Sequence, residues 1–438
     1  MESCQIESLG VPTWGPSRQT RNLLASGTYA TSPNPESYLK ISKYDINSPS
    51  PLVLQGVTQS PAKFSSIDWI DFKDEIGIIA GGMDDGAITL WDPKKILDGQ
   101  ATMDNLKMGR GCVSATKIHN GVSVGSIEFN PHKKNLLASG GSEVLIQDIS
   151  ANLKAPNVFK PGVPNYHEGS RITSISWNRI VPHILASSSE NGKIVVWDLK
   201  VNKSIFNFTE PTSGSDAMDD YFGGSDQAQT QNTSRKETQM MWNPEIPTQF
   251  VVANDDDKNP TINIWDLRNP DYPVATFNDI HYSGILSFSW CLSDPSLVVS
   301  SGKDNRTVIT NFKNGEQVLA FPTQRQYKNI KWSQNLNGKL CAMTNEGHAS
   351  VLSFEPEGLF SNPGREFSTP NISSSTGEPY KPKWVQPRCG ARFGYGNKLV
   401  TFDQKSKGLI RVHHKGTRLD LGQKIKEFDE MLERIPQS

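Results

Sequence analysis

The chain has 438 residues, enough for two or three average domains or for one large repetitive one. Its 45 Lys and Arg nearly cancel its 46 Asp and Glu, leaving a formal net charge of −1. That balance argues against nucleic acid as the main partner, because a phosphate backbone selects a basic face.

The opening residues, MESCQIESLGVPTWGP, lack the basic start and apolar core of a signal peptide. No apolar run approaches the length needed to span a bilayer. The 35 Gly and 28 Pro forecast many turns between short strands. Five irregularly spaced cysteines with no CxxC imply neither a disulfide framework nor a zinc site.

One pattern then recurs seven times along the chain. An alternating strand ends in an aromatic residue, at Trp14, Trp69, Phe129, Trp177, Trp242, Trp290 and Trp332. A small-residue strand follows, at 23–27, 77–82, 136–141, 184–189, 250–255, 297–302 and 340–345, often reading LLASG. A polar turn leads to a third strand that ends in Trp-Asp at Trp91, Trp197 and Trp265, or in a relic of that pair elsewhere. Weaker fourth strands read SIFNFT (204–209) and PVATFN (273–278). Four-stranded units at this spacing are blades of a propeller, each burying its faces against its neighbours. The expected fold is all-β: a seven-bladed WD-repeat β-propeller over 1–354. The seventh unit lacks a fourth strand, and Ser3 to Ser8 is free to fill that place and remove an open edge.

Polar residues recur at matching points. His119, His167 and His281 precede first strands, Ser139, Ser187 and Ser300 lie on second strands, and Glu190 and Asp304 lie in turns before third strands. They are expected to form buried hydrogen-bond networks, structural rather than catalytic. Asp255, Asp256 and Asp257 read as a charged hairpin turn rather than a cation site.

Residues 210–237 read as a surface loop and 355–383 as a linker rich in Pro, Ser, Gly and Thr. Strands are expected at Ala391 to Tyr395, Lys398 to Phe402 and Leu409 to His413, within a blade-like segment over 384–416. A sheet this small is marginal in water, so it needs a host. Over 417–438, Leu421, Ile425, Phe428, Leu432 and Ile435 have helical spacing, with Asp420 as N-cap and Pro436 as stop, so one terminal amphipathic helix is expected. No P-loop, no GxSxG elbow and no metal-ligand spacing occurs, so no enzyme, metal or cofactor is expected.

The chain resembles the large WD-repeat subunit of the COPII outer coat, which cages vesicles leaving the endoplasmic reticulum. The resemblance rests on LLASGTY (23–29), IIAGGMDDGAITLWD (78–92), NLLASGGSEVLIQD (135–148), TINIWDLRNP (261–270), GILSFSW (284–290), VVSSGKDN (298–305) and, most specifically, the tail ARFGYGNKLVTFD (391–403). It implies a structural protein, cytoplasmic and peripheral on vesicles and endoplasmic reticulum exit sites. Its propeller would meet other cage propellers at vertices, and the inner coat only indirectly. Its tail would enter the open ring of the small six-bladed propeller subunit as the missing blade, through Phe393, Tyr395, Leu399, Val400, Phe402, Leu409, Ile410 and Val412. The family continues into a helical rod. The chain stops after one helix, so rod dimerisation and stimulation of GTP hydrolysis are not implied for these residues. A competing reading comes from Trp265-Asp266-Leu267-Arg268, which matches the WDxR pattern of substrate adaptors of cullin-type ubiquitin ligases.

Overall fold

The computed structural model describes residues 3–32, 36–45, 52–74, 76–98, 109–162, 166–167, 169–209, 238–323, 325–354, 382–384, 389–394, 398–403, 409–414 and 417–420. The chain divides into two compact units, 1–380 and 381–438.

In the first unit, six antiparallel four-stranded sheets follow one another along the chain. Blade 1 comprises Val11–Trp14, Leu23–Gly27, Ser37–Tyr44 and Leu52–Ser60. Blade 2 comprises Phe64–Ile70, Ile78–Met83, Ala87–Trp91 and Cys112–Lys117. Blade 3 comprises Ser126–Phe129, Leu136–Gly140, Val144–Asp148 and Asn157–Phe159. Blade 4 comprises Ile172–Trp177, Ile184–Ser189, Lys193–Asp198 and Lys203–Thr209. Blade 5 comprises Gln239–Trp242, Gln249–Ala253, Ile262–Asp266 and Ala275–Phe277. Blade 6 comprises Ile285–Trp290, Leu297–Gly302, Arg306–Asn311 and Glu316–Pro322.

Blade 7 has only three consecutive strands, Tyr327–Trp332, Lys339–Thr344 and His348–Ser353. Its fourth strand is Ser3–Leu9, antiparallel to His348–Ser353, as the unfilled edge required. Pairing runs from Ser3–Leu352 to Gln5–Ser350, and its register then shifts before Leu9–His348.

The apolar core lies in the seams between blades. Ile70, Ile78, Ile88 and Leu90 of blade 2 pack with Ile127, Phe129 and Leu137 of blade 3. Trp14, Leu24 and Tyr44 of blade 1 pack with Cys341 and Val351 of blade 7. A second strand such as Ile184–Ser189 is therefore buried along its whole length, which explains its continuous run of small and apolar residues. Glycines that end the second strands of blades 1 and 3 have a specific use. A Cβ on Gly27 would stand 2.4 Å from the Phe64 ring, and one on Gly140 would stand 2.5 Å from Ile172. In both places the next blade's first strand lays a side chain on bare backbone.

One short helix, α1 (Pro93–Leu97), was not expected. Asp92 caps it by accepting from the N–H groups of Lys94 and Lys95 at 3.1 and 3.4 Å, and Pro93 takes the first turn.

The second unit holds a separate antiparallel sheet of Cys389–Gly394, Lys398–Asp403, Leu409–His414 and Thr417–Asp420. The three expected strands are present. The helix expected over 417–438 does not begin at 417, because Thr417–Asp420 is a fourth strand pairing Arg411 with Asp420 and His414 with Thr417. A two-residue connection is of hairpin length, and the open edge of Leu409–His414 gains a ladder by it. Residues 421–438, the loop at 210–237 and the linker over 355–381 lie outside the described residues, as does Tyr395.

Candidate interaction elements

The tail sheet carries most of the expected partner-binding residues. Its register sets Phe393 opposite Leu399, Val400 opposite Val412, Phe402 opposite Ile410, and Asp403 opposite Leu409. Directly opposed positions share one face of a sheet. Phe393 and Leu399, distant in any one strand's alternation, thus become neighbours in register.

The histidines are buried parts of blade networks. In blade 4, His167 Nε2 lies 2.8 Å from Ser187 Oγ, and the Trp197 indole N–H donates to the same oxygen at 2.8 Å. His167 Nδ1 lies 2.7 Å from Ser189 Oγ, which donates to Asn191 at 2.7 Å. Asn191 was not singled out from sequence, and Glu190 pairs with Arg171 at 3.1 Å. In blade 6, His281 joins Ser300 at 2.8 Å and Asp304 at 3.1 Å. Thr310 stands there where tryptophan has been lost, and its hydroxyl has no partner among the described residues. In blade 3, His119 reaches Ser139 at 2.9 Å. Burial pushes the His119 and His167 imidazoles down to about 4, so both are neutral at pH 7.

Asp255 and Asp257 tie blade 5 to blade 6. Lys303 Nζ lies 2.5 Å from Asp255 and 3.3 Å from Asp257. Asp257 also accepts from Ser283 Oγ at 2.7 Å and from the Gly284 N–H at 3.0 Å, and these bonds hold its carboxyl below the usual range. The Trp-Asp-Leu-Arg segment closes on itself: Arg268 donates from Nε and Nη2 to Asp266 and holds that carboxyl far below its ordinary value. Its guanidinium serves its own blade's turn. Burial pushes the Cys291 thiol up to about 11 and the Cys341 thiol up to about 12, leaving both inert.

Another set of residues was missed from sequence. The residue just before each aromatic of a first strand lines the central channel, and in blades 2 to 6 it binds the next blade. Asp68 accepts from the Phe129 N–H at 2.8 Å, and Glu128 accepts from the Trp177 N–H at 2.7 Å. Ser176 accepts from Trp242 at 3.4 Å, Met241 Sδ from Trp290 at 3.3 Å, and Ser289 from Trp332 at 3.2 Å. Blades are also stapled outside the channel: Asn130 and Asn178 each cap their own turn and donate to Pro182 and Pro247 of the following blade, both at 2.8 Å. The only signal for these in the sequence was position relative to the aromatic. Among the described residues no cluster of His, Cys, Asp and Glu is arranged to hold a metal ion.

Closed seven-fold blade geometry with buried His–Ser pairs, in blade 4 joined by the tryptophan of Trp-Asp, defines a WD-repeat β-propeller, here followed by a separate strand unit. More narrowly, the chain is 31% identical to the protein transport protein SEC31 of Dictyostelium discoideum over 92% of this chain. It is 30% identical to protein transport protein Sec31B of Mus musculus, again over 92% of this chain. It spans 31% and 33% of those relatives, about a third of their length. A solved chain described as the outer coat vertex of COPII on membranes matches 93% of this chain and 99% of its own, with a TM-score of 0.69 at 23% identity, a likeness of fold. No protein-family model matches. The resemblance read from the sequence is borne out by these relatives, and neither they nor the self-closed Arg268 turn favours a ligase adaptor.

Proposed function

We propose that this chain is a structural subunit of the COPII outer coat, without enzymatic activity, that acts in transport from the endoplasmic reticulum to the Golgi. In this reading it is cytoplasmic and reaches vesicles and exit sites as a peripheral component of the coat. Its propeller meets other cage propellers. Its tail enters the open ring of the small six-bladed subunit as a seventh blade, through Phe393, Tyr395, Leu399, Val400, Phe402, Leu409, Ile410 and Val412.

One observation carries the proposal. The ring completes its seventh blade with Ser3–Leu9, so the four strands from Cys389 to Asp420 are surplus to it. A propeller blade is covered on both faces, and the tail's register fits that demand. Positions 393, 399 and 409 put apolar residues on one face, which also carries Asp403, Arg411, His413 and Arg418, while 400, 402, 410, 412 and 419 form an apolar set on the other. An isolated four-stranded sheet exposing both sets would be an aggregation hazard, whereas a gap in a partner's ring would bury both.

Pull-down of the small six-bladed subunit by the full chain, with and without residues 384–420, tests the reading. Phe393→Asp together with Leu399→Asp is expected to abolish capture while circular dichroism of the propeller stays unchanged, since buried unpaired carboxylates are costly. Capture at wild-type level by that double variant would refute blade donation.

A further inference from the structure

Among the described residues, two of the seven seams, blade 7 to blade 1 and blade 1 to blade 2, lack a bond that the other five share. From blade 2 to blade 7 the channel-facing residue before each aromatic gives an acceptor to the next blade's backbone N–H. Lys331 holds that position in blade 7, and an ammonium has no acceptor to offer blade 1. It instead reaches past blade 1 and donates to the Ile67 carbonyl of blade 2 at 3.2 Å. There it joins Asp68 of blade 2, Glu128 of blade 3 and Arg179 of blade 4. Arg179 pairs with Glu128 at 2.5 Å. Two carboxylates and two cations thus share a channel cavity of about 220 Å³, with no net charge between them. Burial pushes the Asp68 and Glu128 carboxyls up, and the Lys331 and Arg179 charges oppose that rise.

The seam between blade 7 and blade 1 is also where the ring's first and last strands meet. It depends on Ser3–Leu9, whose ladder on blade 7 breaks register after Gln5. We propose that Lys331 is a latch that keeps the ring closed from inside the channel, bridging blade 7 to blade 2 so that the seam holds when the N-terminal strand lifts away.

Amide hydrogen exchange on the full chain tests this. Lys331→Met is expected to speed exchange in Val11–Trp14 and Tyr327–Trp332 by roughly tenfold, the scale of losing one hydrogen bond to a charged donor, and to leave blades 4 and 5 unchanged. Lys331→Arg, which keeps a charged donor, should restore slow exchange. Combining Lys331→Met with deletion of residues 2–9 should open the seam more than the two changes do separately. Should the deletion fail to fold, Asp68→Asn in the full-length chain removes a counter-charge of Lys331 and keeps an acceptor for Phe129. It should speed the same two strands. Exchange that is unchanged at the seam, or raised evenly around the ring, in Lys331→Met or Asp68→Asn would overturn the latch.

Discussion

His119, His167 and His281 occupy corresponding places in three blades yet hold different company, and their chemistry differs accordingly. His281 is bonded to the carboxylate of Asp304, whereas His119 and His167 meet hydroxyls and are pushed down to about 4 by burial. In the unfolded chain a histidine titrates near 6.5. The folded state therefore binds fewer protons between those values, so this stability is intact above about pH 6.5 and drains away as pH falls toward 4. By pH 5 the loss is on the order of 2 kcal/mol for each of the two residues. Urea midpoints at pH 7 and pH 5 should show a smaller acid loss in a His119→Gln/His167→Gln double variant than in wild type; equal losses would disprove it. The His–Ser pairs were legible because they recur at fixed offsets from the aromatic strand ends. Asp68, Glu128 and Lys331 were not. A charged residue alternating with apolar ones on a strand reads as solvent-facing, and only closure of the ring turns that face into the wall of a channel.

At the level of strands, the small-residue run is where one blade receives another. Phe64 lies against Gly27 of blade 1 and Gly81 of its own blade, with room for no Cβ on either. Gly27→Ala should therefore cost about 1–3 kcal/mol by overpacking, seen as a lower melting temperature, and Phe64→Leu in the same chain should recover part of the loss. No recovery would mean that the glycine serves its own backbone rather than the ring of Phe64. Most strand positions were readable, since each repeat restates the same alternation and the same turn. Two elements were not. Helix α1 is shorter than two turns and shows itself only as Asp92 followed by Pro93. The strand Thr417–Asp420 was hidden by the helical spacing of Leu421, Ile425, Phe428 and Leu432, which drew the expected helix back over residues that pair instead with Leu409–His414.

For the molecule as a whole, the decisive feature is that the ring supplies its own last strand. A chain ending at residue 380 keeps Ser3–Leu9 and every blade, so its melting temperature is expected to stay within about 2 °C of the full chain by calorimetry. A larger fall would show that the tail stabilises the propeller and is not free for a partner. The pairing of Ser3 with Leu352 also has a consequence in time. Ser3–Leu9 is made before every other strand of the ring and is the last to find its place, because its mate is made roughly 350 residues later. At roughly 5–20 residues per second it waits about 20–70 s with its ladder groups unmet. A chaperone that held Ser3–Leu9 during synthesis would also set the moment at which the circle shuts.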